Sequence, residues 1–165
     1  MGIRSMFVVG SSLVLSLTMP GCASNKRPTF VFNGTNQVTI PYSETGAFLH
    51  FAGLPTVTAS INGVTGTFII DTGAQGPLLT TTAVRRCGIF ASPSADKGVG
   101  VWGEQFPLEV ATNVTVQFTP NFAIHYSKIM VSPEKGNNFG LLDYGTLRTA
   151  HAVVDMNQKT ITLTQ

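Results

Sequence analysis

The stretch TFIIDTGAQG, residues 67–76, places a carboxylate where an apolar run ends. Three apolar residues lead to Asp71, which is followed by Thr72 and Gly73. This lead-in predicts a partly desolvated carboxyl, and desolvation raises the pKa of an aspartate unless nearby donors compensate. Gly73 permits a tight reversal that turns backbone amides toward the carboxylate, and Thr72 offers a hydroxyl to a partner loop. Asp71 is therefore the first candidate for acid–base chemistry.

The chemistry of such a carboxyl depends on a second one. Two carboxyls that face each other cannot both ionise easily, so they share one proton and titrate as a pair. One member then acts as a base toward a water molecule, and the other acts as an acid toward a carbonyl oxygen.

A predicted β-hairpin delivers Asp71 to the end of a strand. Residues 57–61 alternate between apolar and polar types, which is the period of a half-buried strand. Asn62-Gly63 is typical of a tight turn between two strands. The second arm becomes continuously apolar toward Ile70, so it is predicted to enter the core before Asp71.

The rest of the chain favours strands over helices, because glycine, threonine, valine and asparagine are abundant. Further strands are predicted at 38–42, which contains Pro41 and is expected at a sheet edge, at 113–118 and at 122–132. Other predicted elements are a short strand and helical turn ended by Gly88 within 77–89, a mobile hairpin tip at 98–103, a short helix within 143–150 and a hairpin at 151–163. The predicted fold class is all-β with one or two short helices.

Two separated segments resemble one known family. VTASINGVTGTFIIDTGA (57–74) resembles the first catalytic hairpin of the retropepsin-like aspartic proteases, in particular the bacterial single-lobe members. FGLLDYGTLRTAHAVVDMNQKTITL (139–163) resembles the closing segment of the same family, with its glycine, two aliphatic residues, short helix and final hairpin. Together the two segments imply the closed β-barrel lobe of the acid proteases over most of residues 38–165.

The resemblance also implies which residues form the site of an aspartic endopeptidase. Asp71 would be catalytic, and its loop would be supported by Thr72, Gly73 and Ala74. The second-motif loop would consist of Gly140, Leu141 and Leu142. A flap that closes over the substrate would contain Gly98, Gly100, Trp102 and Gly103, where Trp102 either faces the substrate or packs within the flap.

The single Asp-Thr-Gly motif has a consequence for assembly. A pepsin-like enzyme carries two such motifs in one chain, whereas this sequence contains one. The two-carboxyl mechanism therefore requires a symmetric homodimer in which both Asp71 residues meet across the two-fold axis. Each flap is expected to close over an extended peptide or protein substrate and to exclude water.

One position departs from the family pattern. Asp143 stands where the family usually has a second glycine, so either the loop behind the catalytic one is perturbed or Gly145 takes that role. Asp143 itself is predicted at the N-terminus of the short helix. Asp155 is predicted to bind the turn amides of the last hairpin, and Asp96 is predicted to lie in a loop.

The N-terminal residues resemble a bacterial lipoprotein signal. Arg4 precedes the apolar stretch 6–19, which is too short to span a bilayer comfortably, and Gly21 precedes Cys22. This pattern predicts that residues 1–21 are removed and that Cys22 is lipidated. An ordinary secretory signal, with Cys22 incidental, is the alternative.

The same interpretation divides the remaining chain and gives it a location. Residues 22–37 would form a tether and an entering segment, and residues 38–165 would form the protease domain. Ala23 and Ser24, with no aspartate after the cysteine, resemble signals for the outer membrane of Gram-negative bacteria. The protein is thus expected in the cell envelope, anchored to the outer membrane and facing the periplasm.

Composition excludes several other functions. Only 11% of residues are charged, the net charge is +2, and no basic run exceeds two residues, so nucleic acid is not an expected partner. His50, His125 and His151 are widely spaced without a metal-ligand pattern, so neither a metal nor another cofactor is predicted. Cys87 is predicted to be a core-filling thiol at a helix end.

Two functions from different classes remain open on the sequence alone. The first is the lipid-anchored aspartic endopeptidase. The second is a non-catalytic envelope lipoprotein that uses the same fold to bind peptides or other proteins, for which the Asp143 departure and the single Asp-Thr-Gly leave room. Asp71→Asn separates them, because it would abolish hydrolysis and leave simple binding nearly intact.

Overall fold

A computed structural model describes residues 27–45, 53–100, 103–133 and 137–165. Within these ranges the chain forms eleven strands and two short helices. In chain order they are β1 (Thr29–Phe32), β2 (Gln37–Thr45), β3 (Leu54–Ile61), β4 (Val64–Asp71), β5 (Leu78–Thr80), α1 (Thr81–Arg86), β6 (Ala91–Val99), β7 (Gln105–Thr119), β8 (Phe122–Ser132), β9 (Gly140–Asp143), α2 (Tyr144–Thr149), β10 (Val153–Asp155) and β11 (Thr160–Thr164).

Six of the strands close into a barrel. The ring runs β3–β4–β9–β5–β8–β7 and is closed by the pairing of Ser60 in β3 with Gln117 in β7. β2, β11 and β10 continue the sheet outward from β3, while β6 pairs with β7 and β1 pairs with β8. This architecture confirms the prediction of a closed all-β barrel with two short helices.

The hairpin that carries Asp71 forms as predicted. Ile61 pairs with Val64, so Asn62 and Gly63 are the two turn residues, and both have positive φ, 51° and 78°. Two successive positive φ angles match the twist of a two-residue hairpin, which explains the Asn-Gly pair. Val57, Ala59 and Ile61 in β3 are buried, as the alternating pattern predicts.

The prediction that residues 38–42 form an edge strand is wrong. The first half of β2 pairs with β11 and its second half pairs with β3. Pro41 pairs with Thr160 just before the change of partner, and β3 pairs only from Tyr42 onward. The N–H that proline lacks is therefore not required by β3, and the strand can lie inside the sheet.

Two further points concern Asp96, which differs from its expectation, and the entering segment. Asp96 lies in β6 and not in a loop, at a register shift of the β6–β7 pairing between Pro93 and Lys97. The segment expected to enter the domain contains β1, whose Phe30 and Phe32 pack against Phe122 in β8. The sheet of the folded domain therefore includes residues from Thr29 onward.

The main core lies inside the barrel. Its largest fully buried side chains include Phe68, Phe122 and Phe139, which come from three different strands or loops. Phe68 and Phe139 meet edge to face with their ring centroids 6.3 Å apart, a favoured arrangement for aromatic pairs. Cys87 is buried at the C-terminal end of α1, which confirms its prediction as a core-filling thiol.

Several N-terminal predictions lie outside the described residues. They include the signal sequence, the lipidated Cys22, and most of the tether. His50 and Trp102 also lie outside the described ranges. Among the residues that the structure does describe, no helix is long and apolar enough to cross a membrane.

Candidate active site

Asp71 is the last residue of β4 and is half-buried. Its Oδ1 accepts a hydrogen bond from the backbone N–H of Gly73 at 2.9 Å, and its backbone carbonyl accepts one from Ala74 at 3.3 Å. Burial raises the pKa of Asp71, and the amides of Gly73 and Ala74 partly offset that effect. The carboxyl therefore has a higher proton affinity than an exposed aspartate, as its apolar lead-in predicts.

The residues beside Asp71 divide between solvent and core. Thr72 is exposed in the single chain, whereas Ala74 is only 1% exposed. Ala74 belongs to a second apolar cluster, separate from the main core, whose buried members are Ala74, Leu78, Leu108, Met130 and Leu141. Ile69, Phe106 and Val110 are half-buried against it. This cluster joins the Asp71 loop to the strands β7, β8 and β9.

The second-motif segment lies directly beside β4, the strand that ends in Asp71. β9 runs parallel to β4, and their register pairs Ile69 with Leu141, Ile70 with Leu142 and Asp71 with Asp143. The N–H of Phe139 donates to the Thr67 carbonyl at 2.7 Å at the start of this pairing. The sequence predicts that the two motifs belong to one site, and the structure brings them together.

Gly140 is required where β9 passes β5. A Cβ atom at Gly140 would lie 2.0 Å from the backbone oxygen of Leu78, which is closer than non-bonded atoms can approach. Leu141 and Leu142 then point to opposite faces, since Leu141 packs in the second apolar cluster and Leu142 in the main core. The glycine and the two aliphatic residues thus each have a distinct packing role.

Asp143 caps helix α2, as predicted from the sequence. Its two carboxylate oxygens accept the N–H groups of Gly145 at 2.9 Å and Thr146 at 3.2 Å. The loop is linked to the one that carries Asp71, because the N–H of Tyr144 donates to the Ala74 carbonyl at 3.3 Å. Asp143 is 3% exposed, so its carboxylate is almost fully buried.

Sequence analysis placed Asp143 in the loop behind the Asp71 loop and favoured a capping role for it, but it did not predict that Asp143 pairs with Asp71. A signal was present: both Asp71 and Asp143 end an apolar run, Ile69-Ile70 in one case and Leu141-Leu142 in the other. Two short apolar strands that each end in an aspartate, when paired in parallel, place the two carboxyls at the same edge of the sheet.

Tyr126 and Thr146 add a buried polar layer around Asp143. The Tyr126 hydroxyl and the Thr146 hydroxyl are both sealed from solvent without a well-formed hydrogen bond. Burial raises the pKa of the Tyr126 phenol, the nearby Thr146 hydroxyl offsets part of this effect, and the negative charge of Asp143 adds to it. A cavity of about 230 Å³ lies over this layer, with Gln75, Gly145 and Lys128 among its lining residues. Tyr126 lies in an ordinary alternating strand, so no sequence signal singles it out.

The candidate flap is a β-hairpin. β6 and β7 pair with Gly98 opposite Phe106, and the turn is held by the Gly100 N–H donating to the Glu104 carbonyl at 2.8 Å. Gly103 lies in this turn with φ of 82°. β6 and β7 therefore pair on either side of the segment where the sequence predicts a hairpin tip, and the role of a flap stays a prediction.

The other candidate residues have structural surroundings. Oδ1 of Asp155 accepts the N–H groups of Asn157 and Gln158, both at 2.9 Å, which confirms its role in the last turn. His125 lies in β8 beside Thr115, and His151 follows α2 with φ of 44°, so the first strand of the predicted 151–163 hairpin begins two residues later, at Val153. In the described ranges, no three His, Cys, Asp or Glu side chains come together as metal ligands.

The chain is similar to a known family and to solved structures. The sequence model of the aspartyl protease family matches residues 57–146, more than half of the 165 residues. A retropepsin-like aspartic protease from Rickettsia conorii has 15% identity and a TM-score of 0.48, with 82% of this chain and 90% of that chain covered. The retroviral protease-like domain of Ddi1 from Leishmania major has 16% identity and a TM-score of 0.48, with 67% and 87% covered. No curated protein matches the sequence.

Proposed function

The chain belongs to the aspartyl protease family, and on this premise we propose that it is an aspartic endopeptidase with Asp71 as its catalytic residue. The observation that carries the proposal is the state of Asp71, a half-buried carboxyl at a strand end whose pKa is raised by burial. A carboxyl with raised proton affinity is suited to sharing a proton with a second one.

The proposed catalyst is a homodimer that pairs two Asp71 carboxyls. One carboxylate removes a proton from a water molecule, whose oxygen attacks the peptide carbonyl carbon, while the protonated partner donates its proton to the carbonyl oxygen. Collapse of the tetrahedral intermediate breaks the C–N bond and delivers a proton to the leaving amine. A dimer is invoked because the sequence supplies one Asp-Thr-Gly per chain.

The proposed substrate is a peptide in an extended conformation. The β6–β7 hairpin and the strand end that carries Asp71 are joined by the second apolar cluster, to which Phe106 and Leu108 contribute from β7. A strand-like peptide between these two elements would add main-chain hydrogen bonds to a sheet edge, and apolar contacts would hold its side chains.

We also propose that the enzyme acts from a membrane surface. Residues 1–21 would be removed as a signal, and lipid on Cys22 would anchor the domain to the bacterial outer membrane on its periplasmic side. The support is the order of Arg4, an apolar stretch and Gly21-Cys22 in the sequence.

The direct test is peptide cleavage by the protein and by two matched variants. We expect the wild-type protein to cleave members of an unbiased peptide mixture, and we expect Asp71→Asn to abolish cleavage because an amide cannot take up the proton of water. Asp155→Asn is the control, since Asp155 also accepts the N–H two residues along the chain. It should keep full activity.

The outcomes of this test separate the two functions. Cleavage that survives Asp71→Asn would overturn the proposed mechanism. Peptide binding without any cleavage, equal in the wild type and Asp71→Asn, would instead indicate a non-catalytic binding module. Oligomeric state measured on the same samples by sedimentation would show whether activity follows the dimer.

A further inference from the structure

Asp71 and Asp143 occupy equivalent places on neighbouring strands. They pair in the parallel register of β4 and β9, whose backbones are spaced by about 4.8 Å as in any sheet. Two residues earlier, Ile69 and Leu141 also pair, and both pack in the second apolar cluster. Because side chains alternate between faces, Asp71 and Asp143 leave the sheet on that same face.

The surroundings of Asp143 are built to hold a carboxylate. Both oxygens accept backbone N–H groups of α2, and the residue is 3% exposed. Gly145 leaves room for it, since a Cβ at that position would lie 2.8 Å from Oδ2 of Asp143. Gly145 therefore serves the fit of Asp143 and does not substitute for a glycine at position 143, which answers the alternative raised by the sequence.

Among the described residues, no charged or titratable group around Asp143 forms an ion pair with it. Tyr126 faces it from β8, and Lys128 of β8 lines the same cavity but pairs with Asp96 of β6 at 3.7 Å. Arg27 also lines the cavity, and Arg148 lies in the last turn of α2. In the part of the chain that the structure describes, no cation comes within ion-pair distance of Asp143.

We infer that Asp143 is a positioning residue for Asp71: it fixes the strand end that carries Asp71 and places a second carboxylate behind it, which favours the singly protonated Asp71 pair over the doubly ionised one. Asp143 is held in place by the α2 amides, and the Tyr144–Ala74 hydrogen bond ties its loop to the Asp71 loop. The charge acts across one strand spacing, and like charges at that range disfavour ionisation. This inference deepens the proposed function and rests on it for its kinetic consequence.

The direction of the effect agrees with the electrostatics of Asp71. Burial is the largest cause of the raised pKa of Asp71, and the charge of Asp143 contributes in the same direction. Removing that charge lowers the pKa of Asp71. The active, singly protonated pair then exists at lower pH, so both limbs of a bell-shaped pH–rate profile move toward acid.

The test is Asp143→Asn, which removes the charge and keeps a side-chain oxygen that can cap α2. We expect the pH profile of kcat/KM to shift toward lower pH, with activity lost mainly on the alkaline side. Asp155→Asn is the matched control, because Asp155 makes the same two backbone bonds at an exposed turn. Its profile should coincide with that of the wild type. Asp143→Ser, which also caps without charge, repeats the test if the asparagine variant fails to fold.

A second readout does not depend on hydrolysis. The carboxyl carbon of Asp71, followed by NMR in the intact protein as the pH is varied, should titrate at lower pH in Asp143→Asn than in the wild type and in Asp155→Asn. An unchanged Asp71 titration and an unchanged pH profile in a folded variant would overturn the inference and leave Asp143 as a helix cap alone. If the wild type cleaves no peptide, the proposed function fails, and the NMR titration still decides the role of Asp143.

Discussion

At the scale of single residues, Asp71 carries an energetic cost that the rest of the loop only partly removes. Burial raises its pKa above the ordinary value of 3.8, which means that the ionised form is disfavoured in the folded protein. The hydrogen bond from the Gly73 amide, 2.9 Å long, offsets part of this destabilisation of the ionised form. A carboxyl kept in this state is typical of a site selected for chemistry over stability.

This cost gives a stability prediction with a definite sign. Since the pKa of Asp71 is higher in the folded than in the unfolded state, the folded state loses stability as the pH rises through the titration of this group. We expect Asp71→Asn to raise the free energy of unfolding near pH 7 and to have little effect below about pH 3, where the carboxyl is protonated in both states. Chemical denaturation at the two pH values measures the difference.

The control for this prediction is again Asp155→Asn, whose exposed side chain accepts turn amides in the same way. It should change stability little at either pH. A variant Asp71→Asn that is less stable than the wild type near pH 7 would contradict the burial argument, because the asparagine oxygen can still accept the Gly73 N–H.

Residue roles were predictable from the sequence where they depend on near neighbours. Asp71 follows its own apolar lead-in and precedes its own glycine, and Asp155 binds amides two and three residues along. The contact of Asp143 with the Asp71 loop, and the hydroxyl of Tyr126 beneath it, depend on strands far apart in sequence. Spacing along the chain carries no direct information about such contacts.

At the scale of elements, the close approach of β9 to β5 fixes where Asp143 stands. β9 has only four residues and pairs on both sides, parallel to β4 and antiparallel to β5. All four residues are buried. A shift of β9 in either direction would move Asp143 away from Asp71 and place a polar side chain in the core.

Gly140→Ala tests this packing. Its Cβ would lie 2.0 Å from the Leu78 oxygen, and because the contact is with backbone the strands must move apart. We expect a loss of roughly 1–3 kcal/mol in the free energy of unfolding, as for other overpacked cores. The control is Gly76→Ala, where an added Cβ meets nothing within 4 Å. A fully stable Gly140→Ala would show that β9 is not held as tightly as described.

Elements with local signals were predicted well, and those with long-range causes were not. The β3–β4 hairpin follows from alternation and Asn-Gly, and α1 and α2 have capping residues at Thr80 and Asp143. The position of β2 inside the sheet was missed because one of its two neighbours, β11, lies at the far C-terminal end of the chain. A proline favours an edge strand when the strand must be paired along its whole length on both sides. β2 pairs with β3 only from Tyr42 onward, so Pro41 is tolerated inside the sheet.

At the scale of the whole molecule, the proposed dimer makes activity a property of concentration. Each chain supplies one Asp71, so the catalyst is assembled only when two chains meet. Confinement to a membrane surface raises the effective concentration of the subunits without any new contact. The proposed lipid anchor would therefore favour formation of the proposed dimer.

Mixing experiments test the shared site. If wild-type and Asp71→Asn chains are mixed equally and exchange freely, only dimers of two wild-type chains are active, so activity should fall to about one quarter of that of the same total of wild-type protein. Independent catalytic subunits would instead give one half. Dilution of wild-type protein alone should lower activity faster than linearly when the dimer is weak.

Cys22→Ser tests the anchor in cells. The variant is expected to leave the membrane fraction, and mass spectrometry of the wild type is expected to find residues 1–21 absent and lipid on Cys22. Cys87→Ala is the control, because Cys87 is buried in the fold and cannot serve as an anchor. Membrane association that persists in Cys22→Ser would contradict a lipid anchor at that residue.

The pairing of β4 with β9 also determines when the loop that carries Asp71 can be assembled. Thr67 and Asn138, whose side chains hydrogen-bond beside this pairing, are 71 residues apart in the chain. Closing a loop of that length costs chain entropy before any contact is gained, and such non-local pairings fold slowly. A nascent chain therefore carries Asp71 in an unassembled loop until its C-terminal segment has been synthesised. The topology therefore delays assembly of the proposed site until the C-terminal segment has been made.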